Sequence, residues 1–191
     1  MIEPFSVETQ FGDEFEIRLK RIDEVLEEEF EISPGVIIGT GAYSFDRVQF
    51  VLESALERRL ALGLDIDIGD FYDGDLFKVG GNVSWRPGRH FYMQLGYEYN
   101  DVELPAGSFV TRLYRLRADV AFTDKWSWLN VVQYDNVTDT GGFNSRLRYN
   151  PQAGQDLYLV LNRQFDVDPL TRDVSSSTSE FVVKFNYTFR F

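Results

Sequence analysis

The last eleven residues, Phe181-Val-Val-Lys-Phe-Asn-Tyr-Thr-Phe-Arg-Phe191, leave this chain little choice of local structure. Side chains alternate along a strand, so Phe181, Val183, Phe185, Tyr187, Phe189 and Phe191 share one face. Lys184, Asn186, Thr188 and Arg190 share the other. An aromatic face opposite a charged one suits a strand with lipid on one side and a watery lumen on the other. The alternative is a final strand that packs its aromatic face on a soluble core.

The same alternation recurs in ten segments, near 11–22, 44–56, 58–69, 76–86, 90–101, 109–122, 126–137, 142–150, 155–165 and 179–191. Many reach ten residues or more, against ~5–6 for strands of soluble proteins and ~9–11 for tilted membrane strands. In 76–86, Phe77, Val79, Val83 and Trp85 oppose Lys78, Asn82, Ser84 and Arg86. In 109–122, Tyr114, Leu116, Val120 and Phe122 oppose Arg115, Arg117 and Asp119. A soluble sandwich or lipocalin-like barrel shows such alternation with inside and outside exchanged. Three features favour lipid on the apolar side. The polar faces carry both signs of charge, aromatics gather near segment ends as membrane interfaces prefer, and the connections alternate in length. Connections around 23–43, 70–75, 102–108, 138–142 and 166–179 are the longer ones; those near 55–58, 87–89, 123–125 and 151–154 are short. Outer-membrane barrels have short periplasmic turns and longer outer loops. This order, with an even strand count, puts both termini on the periplasmic side. The reading is an all-β, antiparallel, up-and-down transmembrane β-barrel over residues 11–191, after a lead-in over 1–10. Its roughly ten strands either close alone or form part of a larger barrel.

Two stretches resist. Val51–Leu62 has good helix formers, with Leu52, Ala55, Leu56 and Leu60 at helical spacing, so a helix is the alternative there. The segment 125–137 alternates poorly (Trp126, Trp128, Leu129, Val131, Val132), which leaves its facing open.

No run approaches the ~20 apolar residues of a membrane helix, so any membrane role falls to strands. A net charge of −12 opposes nucleic-acid binding, which needs a basic footprint. Cysteine is absent, which removes disulfides and thiolate chemistry. Met1-Ile-Glu-Pro-Phe-Ser-Val-Glu8 has neither the basic start nor the apolar stretch of a signal peptide. A barrel needs export, so the expectation is a C-terminal piece of a longer protein or a truncated reading frame.

Catalysis has little to work with. His90, the sole histidine, adjoins the turn Pro87-Gly88-Arg89, with no visible nucleophile or orienting partner. Zinc would want more His or Cys than the chain has. Asp70, Asp73 and Asp75 offer oxygen ligands to a hard cation, but their spacing departs from that of calcium loops, and a solvated acidic hairpin is the simpler reading. Nothing nominates an acid pair for glycoside hydrolysis among 31 carboxylates. The expectation is no catalytic residue, no metal and no cofactor.

The charges on the polar faces are the functional candidates. Arg18, Lys20, Asp65, Asp67, Lys78, Arg86, Glu98, Arg115, Arg117, Asp119, Arg146, Arg148, Lys184 and Arg190 are expected to line a lumen, with Glu14 and Glu16 beside them. In a closed ten-strand barrel they fill the interior as a structural network. In a wider barrel they line a channel and set its selectivity, with Tyr92, Tyr134 and Tyr158 as an aromatic path. Tyr187, Phe189 and Phe191 are the candidate assembly signal. A terminal Phe preceded by alternate aromatics resembles the mark by which the barrel-assembly machinery recognises bacterial outer-membrane strands.

Several pieces also resemble, in this order, the C-terminal region of a family of bacterial surface proteins. They are Gly69-Asp-Phe-Tyr-Asp-Gly74, Val83-Ser-Trp-Arg-Pro87, Asn100-Asp-Val-Glu-Leu-Pro105, Val132-Gln-Tyr-Asp135 and Ser145-Arg-Leu-Arg-Tyr-Asn-Pro151 with Asp156-Leu-Tyr-Leu-Val160. In that family a domain resembling family-9 carbohydrate-binding modules precedes a β-barrel domain of unknown function. The resemblance implies a Gram-negative outer membrane, with bilayer and lipopolysaccharide as surroundings and carbohydrate as an associated ligand. Some members are described as sugar-binding proteins or hydrolases; neither activity carries over, because the domain that would hold it is missing. The first functional expectation is a membrane anchor for that domain. A porin-like pore or sugar channel is the alternative, and a soluble ligand-binding β-barrel is the second alternative.

Overall fold

The alternating segments become strands in a computed structural model that describes residues 1–168, 171 and 173–188. They are β1 (Ile2–Glu8), β2 (Glu14–Leu26), β3 (Phe30–Ser33), β4 (Val36–Ile38), β5 (Gly41–Glu53), β6 (Leu60–Phe71), β7 (Gly74–Gly88), β8 (Phe91–Leu104), β9 (Gly107–Ala121), β10 (Trp126–Asp135), β11 (Thr140–Gln152), β12 (Gln155–Val167) and β13 (Val174–Tyr187). Eleven form one sheet in chain order, β1-β2-β5-β6-β7-β8-β9-β10-β11-β12-β13, and β3 pairs with β4 as a separate hairpin. This is the all-β, antiparallel, up-and-down arrangement that the alternation implies. No helix forms among the described residues. The chain divides into two compact units, one of Met1–Val83 with Tyr97–Arg112, the other of Ser84–Gly96 with the chain from Leu113 onward.

Pairing registers sort every side chain to a face. In the first unit Glu16, Arg18 and Lys20 of β2 stand opposite Val51, Gln49 and Arg47 of β5, which in turn meet Asp65, Asp67 and Gly69 of β6. In the second unit Arg117 of β9 meets Val131, which meets Asn144, Asn162 and Glu180 in one row across β10 to β13. The helix alternative at Val51–Leu62 loses to this ladder, because β5 pairs with β2 all the way to Glu53. A turn follows, pinned where Asp13 accepts hydrogen bonds from the Ala55 amide at 3.1 Å and Arg58 Nη2 at 2.5 Å.

The two faces are inverted relative to a water-soluble fold. In the first unit polar-face groups are buried: Glu16 is 6% and Asp67 4% exposed. Apolar-face groups lie open: Leu95 is 51% and Phe185 61% exposed. On β6 the open run is Leu60, Leu62, Leu64, Ile66 and Ile68, about 26 Å long at ~3.3 Å per residue. That is the scale of the ~25 Å lipid-facing band of membrane barrels. Charged groups then take over the same face on strand after strand: Arg21 on β2, Asp46 on β5, Asp70 on β6, Asp101 on β8, Arg112 on β9 and Arg163 on β12. Arg21 and Asp46 pair at 3.7 Å, and the Asp46 amide donates to Asp70 at 3.2 Å. Aromatics edge the belt. Toward the opposite ends of the strands Trp126 stacks on Tyr149 at 4.4 Å, Trp85 meets Phe91 at 5.7 Å and Phe122 meets Trp128 at 6.5 Å. Toward the charged edge Phe77 meets Tyr99 and Tyr114 meets Tyr134.

Past the charged edge the first unit builds its conventional core. Val36 and Ile38 of the β3–β4 hairpin bury against Leu76, Val102 and Leu104, with Leu26, Ile32, Tyr43, Phe71, Tyr72 and Phe109 around them. Pro34-Gly35 makes the hairpin turn, with Gly35 at φ 79°. Tyr72 also sits at positive φ, 55°, which costs a bulky residue about 1–2 kcal/mol. Four rings hold it there, with centroids at 4.8 Å (Phe71), 5.1 Å (Tyr43), 5.5 Å (Phe45) and 6.1 Å (Phe30).

The structure departs from the sequence reading in four respects. Ile2–Glu8, left as a lead-in, pairs with β2 as an eleventh strand, with Ile2 opposite Leu19. Pro4 and a register shift between Ile2 and Phe5 had hidden its alternation. The termini therefore do not follow the even-count rule. The supposed long loops are mostly strand: Tyr72 and Asp73 alone join β6 to β7, and Pro105 and Ala106 alone join β8 to β9. The alternation in loop length thus reflects strands that run on past the belt. Within 23–43, β2 continues to Leu26 and the β3–β4 hairpin fills much of the rest.

Candidate functional site

The polar face is the candidate site, and its chemistry differs between the units. In the first, β2, β5 and β6 bring opposite charges into contact by pairing their alternate residues. Lys20 Nζ lies 3.0 Å from Asp67 Oδ2, Arg47 Nη1 3.8 Å from the same oxygen, and Arg18 pairs with Glu16. Gln49 donates to Asp65. Lys78 on β7 reaches Glu98 on β8 at 3.2 Å, and Asn100 bridges Glu98 and Thr111 at 3.1 and 2.7 Å. These groups are buried or half-buried and occupy one another. A small recess of about 210 Å³ remains among Glu14, Arg18, Glu53, Asp65 and Asn82, over the bare backbones of Gly63 and Gly80.

The second unit's polar face is open. Arg86, Arg115, Arg117, Arg146, Arg148 and Lys184 are all exposed. Arg117 holds Asp119 at 2.6 Å and Arg148 holds Asp156 at 2.7 Å. Arg86 and Arg117 both lie over the Tyr92 ring, at 5.2 and 5.7 Å, and Arg146 lies over Tyr158 at 5.9 Å. Farther along the strands a groove of about 730 Å³ is lined by amides, hydroxyls and acids, among them Gln133, Asn144, Asn162, Gln164, Asp166 and Glu180. Asn144 donates to Asn162, which donates to Glu180 at 3.2 Å.

Arg18, Lys20, Asp65, Asp67, Lys78 and Glu98 therefore stand together in the first unit, while Arg86, Arg115, Arg117, Asp119, Arg146, Arg148 and Lys184 stand together in the second. Arg190 lies outside the described residues, as do Phe189 and Phe191; Tyr187 closes β13, half-exposed, beside Phe185. Of the three tyrosines expected along a path, Tyr92 and Tyr158 share the polar face with the arginines. Tyr134 does not: it pairs with Tyr114 on the apolar face, and its hydroxyl donates to Asp139 at 2.9 Å. The registers also settle β10. Trp126, Trp128 and Tyr134 belong to the apolar face, and Leu129 and Val131 lie on the polar one, opposite Arg146 and Asn144.

Arg47, Gln49 and Tyr43 were missed because the facing of β5 is not visible in its composition; only its pairing with β2 reveals it. His90 lies in the β7–β8 turn, with Nδ1 2.8 Å from the Ala121 carbonyl and Nε2 accepting from Arg89 at 2.9 Å. Asp70 is engaged by the Asp46 amide, and the described residues hold no group of three or more potential metal ligands. Outside the strands, burial pushes the Tyr72 hydroxyl above its ordinary value, and its hydrogen bond to the Glu24 carboxylate at 3.1 Å adds to the shift.

No protein-family model and no curated protein matches the sequence, so the family resemblance has no matching model behind it. Among solved structures the chain is similar to one described as a KdgM porin in complex with disordered oligogalacturonate, at 10% identity and a TM-score of 0.41, over 97% of this chain and 90% of that one.

Proposed function

We propose that this chain is a bacterial outer-membrane β-barrel whose polar face lines a porin-like conduit. The observation that carries the reading is the belt: an exposed apolar band, edged by aromatic rings and then by charge, backed in the first unit by buried carboxylates and half-buried ammonium groups. Water penalises such an inversion, whereas a bilayer rewards it, because the band then meets hydrocarbon and the rings meet the interface. In this reading residues 11–191 form the membrane domain, joined by β1, within bilayer and lipopolysaccharide. β13 is the strand offered to the assembly machinery, through Tyr187 and the residues after it. The amide- and hydroxyl-lined groove of the second unit supports polar solutes, carbohydrate among them, as what passes.

A second reading, an anchor with a filled interior for a carbohydrate-binding domain, is supported by the interlocked ion pairs of the first unit. A soluble ligand-binding barrel fits least, because it would leave Leu95, Trp85 and Phe185 in water.

The test has two steps. The chain refolded into detergent micelles is run unboiled and boiled on a denaturing gel, and then reconstituted into planar bilayers. Heat-dependent mobility with stepwise conductance is the expected result. Mobility without conductance favours the anchor, and a monomer that folds in water without detergent sinks both membrane readings.

A further inference from the structure

We infer that the second unit's polar face is an anion-selective track, with Arg115 and Arg146 as its selectivity-determining residues. The inference rests on the conduit reading above and runs against the protein's net charge of −12. Two observations carry it. First, charge is segregated between the units. In the first, Lys20, Arg47 and Lys78 are bound to Asp67 and Glu98, so their field is spent locally. In the second, Arg117 and Arg148 meet acids, whereas Arg115 and Arg146 do not. Arg115 touches only the neutral amide of Gln133, at 3.2 Å, and Arg146 only the Tyr158 ring; neither has a carboxylate within ion-pair distance among the described residues.

Second, the surroundings hold these guanidiniums in place. Arg146 is flanked across the sheet by Leu129 on β10 and Val160 on β12, apolar neighbours that offer it no hydrogen bond. Tyr158 beneath it fixes the plane by a cation–π contact and leaves its N–H groups free to donate. Arg115 and Arg146 stand two strands apart and four residues apart along the strands, about 16 Å at ~4.8 Å per strand and ~3.3 Å per residue. Arg117 and Arg148 are each half-neutralised by their own acids and continue the positive field between and beyond them. A guanidinium with unspent donors presents a fork that matches carboxylate, sulfate and phosphate oxygens. Rings of basic side chains select anions in pores. Asp135 and Asp166 lie at the charged-edge end, beyond Arg115, and Glu180 lies in the Arg117 row, where it accepts from Asn162.

The experiment is the reversal potential of the reconstituted full chain across a tenfold KCl gradient, for wild type and for the double variant Arg115→Gln/Arg146→Gln. Anion preference in the wild type, reduced at least severalfold in the variant, is expected. Cation preference in the wild type, or an unchanged potential in the variant, overturns the inference while leaving the conduit intact. If no channel conducts, the conduit reading fails, and the track is judged by calorimetric binding of dextran sulfate to the micellar protein. Loss of that binding in the folded, heat-modifiable variant supports the track, and equal binding overturns it.

Discussion

Tyr72 shows how much one side chain can be asked to do. A two-residue turn forces it to positive φ, and the rings of Phe30, Tyr43, Phe45 and Phe71 offset that strain. Its folded-state pKa lies above the unfolded value near 10. Its contribution to stability is therefore complete below about pH 10 and drains away as pH rises through the folded value. Thermal unfolding of micellar wild type should fall more steeply above pH 10 than that of Tyr72→Phe, which has no proton to lose; parallel curves would refute the linkage. At this scale the sequence was partly legible. The positions of Asp67 and Lys20 on one face follow from counting by twos, but that they touch at 3.0 Å depends on the β5 register between them. Arg47, which shares that oxygen, announced itself by nothing.

At the scale of elements, alternation revealed ten strands because long two-faced strands leave a period-two trace wherever one face is apolar. It missed β1, where Pro4 breaks the period, and it missed β3 and β4, which are too short to show one. The Pro34-Gly35 turn between Ile32 and Val36 was the available signal for the hairpin. It misjudged the connections because charged residues such as Asp23 and Asp70 on the apolar face look like loop, when they mark only where strands leave the belt. The hairpin is separable from the belt. Ile38→Ala, at a side chain 3% exposed, should cost about 2–5 kcal/mol of tip stability. Limited proteolysis should then cut near Pro34-Gly35 at least tenfold faster, while the heat-dependent gel shift persists. Loss of the gel shift would mean that the tip and the belt fold as one.

For the molecule as a whole, the inversion of polar and apolar faces was the most legible property, since it needs only alternation and the identity of the residues at each parity. The division of the polar face into a self-neutralised and a cationic part was not legible, because parity says nothing about which charges become neighbours. If the aromatic edges lie at bilayer interfaces, Trp85, Trp126 and Trp128 sit shallow. Their fluorescence should be quenched more by lipids spin-labelled near the headgroup than by lipids labelled at the chain end; the reverse order would place these rings at mid-bilayer and undo the belt assignment. The apolar core of the hairpin has a consequence for the order of events. On the membrane reading, Val36, Ile38, Val102 and Leu104 are driven together by water, whereas the belt below them is driven by lipid. In a bilayer these residues must travel through the membrane plane before they can meet, so their burial comes last. Once made, on that reading, it works as a latch: withdrawing the strands would first require that core to reopen in water, which would make insertion a step taken in one direction.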